Sequence, residues 1–144
     1  MRRGFTLIEL LIVITFSLIL FGMVALFGIS SLYVQELDRT VQTIRNELMS
    51  ARDATLSGRD GSSWGVAFGT STAVLFKGTT YGSRDTTYDL LHPFAPRIAI
   101  TGPSEIVFSP PFGNATATGT ISITVGADHD ASITVNRYGM IEVQ

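Results

Sequence analysis

The feature that most constrains this chain is a long stretch without a charged side chain, over residues 10–32. As an α-helix rising about 1.5 Å per residue, this stretch would be about 35 Å long, and the hydrocarbon core of a membrane is about 30 Å thick. It is therefore long enough to span a membrane as one helix. Arg2 and Arg3 precede it. Because positive residues favour the cytoplasmic side, we expect everything after Leu32 to lie outside the cytoplasm.

One carboxylate, Glu9, lies at the head of this stretch. On insertion scales a charged side chain at the centre of a membrane helix costs about 2.5–3.5 kcal/mol, so Glu9 needs either a shallow position or a partner. A removed secretory signal peptide would have a shorter apolar region followed by a small-residue cleavage site. The residues after the arginine pair do not extend a twin-arginine export signal. An ordinary single-pass anchor with an incidental glutamate is the general alternative.

The residues from Gly4 to Glu9 read Gly-Phe-Thr-Leu-Ile-Glu, and apolar residues follow them. This motif resembles the class III signal of the type IV pilin and type II secretion pseudopilin superfamily. The resemblance implies that a prepilin peptidase cuts between Gly4 and Phe5 and methylates the new amino group of Phe5. It also implies that the apolar helix stays on the mature subunit, where Glu9 pairs with the N-terminal amine of a neighbouring subunit.

After the anchor, apolar residues recur at intervals of three and four, which predicts one stripe along a helix. The stripe consists of Val34, Leu37, Val41, Ile44 and Leu48. No proline interrupts residues 5–57, so we expect a single long helix. Gly58 is a plausible stop for it, and residues 59–61 a turn after it.

From Trp64 onward the apolar period changes to two, which predicts about seven short strands separated by turns rich in Gly, Pro and Asp. The strand-like runs are residues 64–68, 74–76, 98–100, 106–108, 121–125, 133–135 and 140–143. Residues 78–96 lack clear periodicity and are expected to form a long loop, with room for one short strand. Residues 110–114, with two prolines, are expected to be a turn. The fold class is therefore α+β, with the helix packed on an antiparallel β-sheet or sandwich.

The second half also resembles the GspH/FimT minor pseudopilin domain, in the run from Ile106 to Pro110 that leads to Gly113 and in residues 119–121, 133–135 and 139–141. The two resemblances together imply the pilin fold. They divide the chain into a leader peptide (1–4), a transmembrane or filament-core helix (5–32), an amphipathic continuation (33–58) and a β-rich domain (59–144).

The implied function is that of a structural subunit and not an enzyme: a minor pseudopilin of a type II secretion pseudopilus. The alternative is a minor type IV pilin of a pilus or DNA-uptake filament. The implied partners are other pilin-type subunits, a prepilin peptidase and an inner-membrane assembly platform. The implied location is the bacterial inner membrane, with the C-terminal domain extracytoplasmic, and then the filament.

Two further motifs could carry chemistry. Residues 61–65 match the G-x-S-x-G string around Ser63, but a nucleophile elbow needs a strand before the serine and a helix after it, and here that order is reversed. We therefore predict a turn. Asp128, His129 and Asp130 are adjacent, but calcium needs six or more oxygen ligands and zinc needs ligands from elsewhere. We predict a solvated hairpin tip there, with no metal.

The composition of the chain argues against several other kinds of site and function. The chain has no cysteine, which excludes disulfides and thiolate metal sites, and a formal net charge of −2. No cofactor is expected. The last twenty or so residues contain Arg137 against three carboxylates, so we do not expect DNA binding, which needs several cations on one face. His92 has no sequence neighbour that indicates a role.

Overall fold

A computed structural model of the chain describes residues 6–126 and 129–144, with the backbone alone for residues 24–31. The predicted cleavage site at Gly4 and Phe5 lies outside the described residues, as does Asp128. Within the described part, no helix is both long enough and apolar enough to cross a membrane. The membrane-spanning role of residues 5–32 stays a prediction.

One long helix, α1 (Leu7–Leu56), forms the N-terminal part of the described chain. It begins after Thr6, whose extended backbone and side-chain oxygen cap the first turn. It ends at Leu56, and Gly58 follows with φ at +66°, the left-handed conformation that glycine adopts without a steric penalty. The single helix and its glycine stop are thus confirmed. A 3-10 turn (Arg59–Gly61) leads into the sheets.

Nine strands follow in the described residues, and they form two antiparallel sheets. The strands are β1 (Trp64–Phe68), β2 (Thr72–Lys77), β3 (Asp85–Pro93), β4 (Ile98–Thr101), β5 (Glu105–Ser109), β6 (Asn114–Ala115), β7 (Gly119–Val125), β8 (His129–Val135) and β9 (Ile141–Val143). The first sheet has the order β3-β2-β1-β5-β6, and the second has the order β4-β7-β8-β9. The α+β class is therefore confirmed.

The core lies between the second half of α1 and both sheets. The helix contributes Leu37, Val41, Ile44, Leu48 and Ala51, which are all buried. The sheets contribute large buried side chains on their helix-facing sides, among them Trp64, Phe108, Ile121, Ile123 and Ile133. Val34, predicted to be part of the stripe, is instead 42% exposed, because the neighbouring Tyr33 packs against the core in its place.

Two strands contradict the predictions from sequence. β3 occupies residues predicted to be mostly loop, and β6 contains Asn114, which was predicted to lie in a turn. β3 lacks apolar alternation because it is an edge strand that pairs only with β2 and exposes most of its residues. Its pairing also shifts register between Leu75 and Lys77. The count of about seven strands was accordingly too low.

Candidate functional site

The first turns of α1 have no cover within the described chain. Every large apolar side chain in residues 7–23 is between 51% and 83% exposed. These side chains point to all sides of the helix, because nearly every residue in the segment is apolar. A helix that is apolar all round is stable when lipid or protein surrounds it. This segment therefore requires cover from outside its own chain.

Glu9 is the charged residue of this exposed segment, and it lies in the first turn of α1. The backbone N–H of Glu9 donates to the hydroxyl of Thr6 at 3.4 Å, and the Thr6-x-x-Glu9 spacing is that of a capping box. A carboxylate is also favoured there by the helix dipole. No described residue forms an ion pair with Glu9. Its carboxylate is thus free to interact with another chain.

The other candidate residues do not form a catalytic arrangement. Ser63 lies between the 3-10 turn and β1, and its carbonyl accepts a hydrogen bond from the N–H of Gly78 at 2.9 Å. His92 Nε2 lies 2.9 Å from Glu47 Oε1, although the two groups are not aligned for a hydrogen bond. The ring of His129 packs against Tyr33, with centroids 6.3 Å apart. Each histidine therefore has its contact on α1, and no described hydrogen bond or ion pair joins either one to Ser63.

The predicted hairpin tip is wrong for His129 and Asp130. Both belong to β8, where they pair with Val125 and Thr124 of β7. The pairing of β7 and β8 extends to Val125 and His129, and Gly126, which follows β7, has a left-handed backbone with φ at +68°. Among the described residues there is no group of three or more His, Cys, Asp or Glu side chains that could hold a metal.

Several cations of the domain are neutralised within the chain. The ion pairs are Lys77–Asp60 at 3.3 Å, Arg84–Asp89 at 2.9 Å and Arg97–Glu36 at 3.2 Å. The paired carboxylates lower the positive potential around these three cations, so the cations attract a phosphate backbone less than unpaired ones would. At the start of β3, hydrogen bonds from the side chain and then the backbone N–H of Thr87 lower the pKa of Asp85, which keeps this carboxylate charged at neutral pH.

Comparison with known proteins identifies the architecture. No family model and no curated protein matches the sequence. A solved structure does match: the minor pseudopilin EpsH from the type 2 secretion system of Vibrio cholerae, with a TM-score of 0.57 and 13% sequence identity. The match covers 76% of this chain and 96% of that chain.

This chain has the pseudopilin fold. The resemblance to the pilin and pseudopilin superfamily, predicted from sequence, is thereby confirmed at the level of the fold. At this sequence identity the likeness shows the fold and does not carry the neighbour's function over to this chain. The function therefore has to be argued from the exposed helix and from Glu9.

One exposed surface, on the second half of α1, was not predicted from the sequence. Met49, Arg52 and Leu56 lie on α1 outside the buried stripe, and Met49 and Leu56 are exposed. The sequence did contain one indication of this surface: Met49 and Leu56 are apolar residues on the solvent-facing side of an amphipathic helix. The loops that complete this surface come from distant parts of the chain, so the periodicity of α1 could not identify them.

Proposed function

We propose that this chain is a minor pseudopilin, a structural subunit of a type II secretion pseudopilus. In this proposal it is inserted in the inner membrane through residues 5–32, cleaved after Gly4 and methylated at Phe5. Its β-rich domain then lies outside the cytoplasm. The observation that carries the proposal is an apolar helix segment, exposed on all sides and headed by one carboxylate, attached to a domain with the pseudopilin fold.

Assembly depends on a new charge that cleavage would create. Removal of residues 1–4 would free the α-amino group of Phe5, and α-amino groups have reference pKa values of about 7.7–8.0, so it would be cationic at neutral pH. Glu9 of a neighbouring subunit would then supply the opposite charge. In an apolar filament core either charge alone is costly, and pairing offsets part of the desolvation cost of both, so an unpaired Glu9 or amine is strongly disfavoured. The pair would therefore fix the stagger between neighbouring helices.

Other subunits would cover the exposed apolar side chains at the start of α1. The exposed side chains of residues 7–23 would pack against the same segment of neighbouring pilin-type subunits, as apolar helix surfaces do in a bundle. Leu37 to Ala51 on the same helix already pack against the sheets of their own chain. The filament core would thus be built from the first part of α1, with the domains outside.

The test separates the charge of Glu9 from its role in capping the helix. Glu9→Gln keeps a capping-box residue three positions after Thr6 but removes the charge, and Glu9→Ala removes both. In cells that contain the secretion machinery, we expect both variants to be cleaved and inserted like the wild type. We expect their incorporation into sheared filaments to fall by about tenfold or more, which corresponds to about 1.4 kcal/mol.

Asp38→Ala is the matched control, because Asp38 is another exposed carboxylate on α1 that forms no described ion pair. Its incorporation should equal that of the wild type. Wild-type incorporation of Glu9→Gln would show that the charge is not used and would contradict the proposed assembly step.

A further inference from the structure

A cavity lies beside α1 at the point where the predicted membrane span ends. It has a volume of about 260 Å³ and is lined by Leu32, Gln35, Glu36 and Arg39 of α1 and by Arg97, which precedes β4. Leu32 is the last residue of the stretch 10–32, and Glu36 is the first charged residue after it. Charged side chains therefore begin at this cavity. We call Glu36, Arg39 and Arg97 the juxtamembrane cluster.

The juxtamembrane cluster has one more positive charge than negative charge. Nε of Arg97 lies 3.2 Å from a carboxylate oxygen of Glu36, so this carboxylate offsets one of the two cations. Arg39 is exposed and forms no ion pair with a described residue. The exposed carboxylates of Asp38 on α1 and Asp130 on β8 do not line the cavity. The excess positive charge is therefore that of Arg39.

The two arginines lie at the height of a phospholipid headgroup layer. If the hydrocarbon core ends at Leu32, Glu36 lies about 6 Å beyond it, at about 1.5 Å per residue. The headgroup layer of each leaflet is about 5–8 Å deep. Arg97 contacts Glu36 and also lies over the ring of Tyr33, with its guanidinium carbon 5.6 Å from the ring centre, so it lies within that layer. Arg39 lies further out, but side chains tilt toward the N-terminus of a helix, here toward the membrane.

Tyr33 places an aromatic ring at the same height. Tyrosine is enriched where a membrane meets water, because its ring is apolar and its hydroxyl is polar. The ring also packs against His129, with centroids 6.3 Å apart. His129 pairs with Val125 of β7, which pairs in turn with Ile98, the residue after Arg97. One end of the second sheet therefore lies beside the end of the predicted span.

We propose that the juxtamembrane cluster binds the headgroup of an anionic phospholipid in the outward-facing leaflet of the inner membrane, before the chain enters the filament. This inference rests on the proposed function, because it takes residues 5–32 as the membrane anchor. A phosphodiester carries one negative charge, which matches the excess charge of the cluster. Arginine donates strong charge-assisted hydrogen bonds to phosphate oxygens. The ammonium of a zwitterionic headgroup would be repelled by the same arginines, so an anionic lipid is favoured.

The three members of the cluster have different roles in this proposal. Arg39 supplies the charge that no described carboxylate offsets. Arg97 is held by Glu36 through Nε, and because a guanidinium has five N–H donors, others remain for a phosphate oxygen. Glu36 is thus a positioning residue for Arg97, and the two arginines are the residues that contact the lipid.

Native mass spectrometry of the full chain in detergent micelles tests this lipid binding. The probe is dioctanoyl phosphatidylglycerol, and phosphatidylcholine with the same acyl chains is the zwitterionic comparison. We expect phosphatidylglycerol to bind several-fold more tightly. Arg39→Gln and Arg97→Gln should each weaken its binding by about tenfold, as the loss of a charge-assisted hydrogen bond does. Arg39→Lys keeps the charge and should weaken it less.

Arg45→Gln is the matched control, because Arg45 is another arginine of α1 that forms no described ion pair and does not line the cavity. It should bind phosphatidylglycerol like the wild type. Equal binding of the two lipids, or unchanged binding by Arg39→Gln and Arg97→Gln, would overturn the inference. Glycerol phosphate, which has no acyl chains, should bind far more weakly than the lipid. If it bound equally tightly, the cluster would be a site for soluble phosphate esters and the lipid assignment would be wrong.

Alkaline washing of membranes from cells that produce the chain tests the anchor separately. The wild type and Arg39→Gln should both stay in the membrane pellet, because the apolar helix and not the cluster holds the chain there. If both stay but Arg39→Gln still binds phosphatidylglycerol like the wild type, the proposed function stands and this inference fails. Release of the wild type by alkali would contradict the anchor and with it the proposed function.

Discussion

At the scale of single residues, Thr55 joins three elements through one hydroxyl. The side chain is buried, and its Oγ1 lies 2.9 Å from the carbonyl oxygen of Ala51 and 3.3 Å from that of Phe108 on β5. The same oxygen accepts a hydrogen bond from the backbone N–H of Trp64 on β1, at 3.2 Å. The end of α1 is thereby connected to two central strands of the first sheet.

We expect Thr55→Val to destabilise the chain by about 1–3 kcal/mol. Valine keeps the shape of the side chain but leaves the buried N–H of Trp64 without its acceptor, and a buried unpaired donor costs about that much. Thr55→Ser keeps the hydroxyl and should cost clearly less. Denaturant unfolding of the full chain in detergent measures both free energies. Equal stability of Thr55→Val and the wild type would show that this hydrogen bond does not hold the helix end.

Glu9 and Arg52 differ in how well the sequence alone identifies their positions in the structure. Glu9 was identifiable because a lone carboxylate beside a long uncharged stretch is conspicuous whatever the fold. The half-buried position of Arg52 was not, because it depends on Gly113 and Gly139, which the tertiary structure brings beside it from far along the chain. One-dimensional periodicity contains no information about that juxtaposition.

At the scale of elements, the end of α1 depends on a backbone conformation. Gly58 has φ at +66°, and a Cβ built there would meet no heavy atom within 4 Å. We therefore expect Gly58→Ala to cost about 1–2 kcal/mol through backbone strain alone. Gly82→Ala is the control, because Gly82 also has open space but no positive φ, and it should be neutral within about 0.5 kcal/mol. If the two variants unfold at the same denaturant concentration, strain at the helix end is not significant.

The elements that sequence predicted well are those with a buried face. The helix stripe from Leu37 to Leu48 is buried at intervals of three and four residues, and β7 alternates between buried and partly buried positions, so their periodicity is visible in the sequence. β3 was missed because its order comes from backbone pairing with β2 and not from a buried face. Val34 was misassigned because the period of a helix fixes the spacing of a stripe but not where the stripe begins.

At the scale of the whole molecule, the chain has two parts that require different surroundings. The domain and the second half of α1 bury a shared core, whereas every large apolar side chain of residues 7–23 is more than half exposed. Such a molecule has a stable domain and an apolar helix that must be covered by lipid or by other subunits. The two environments match the two stages proposed here, first in the membrane and then in the filament.

The most direct test of this account is the mass of the N-terminal peptide of the protein isolated from cells with an active prepilin peptidase. The account predicts that the mature chain begins at Phe5 and carries one methyl group on its α-amino nitrogen. In cells that lack the peptidase, the same chain should keep Gly4 and the residues before it. A chain that still begins at Met1 when the peptidase is active would contradict the central claim, because no amine would then be available to pair with Glu9.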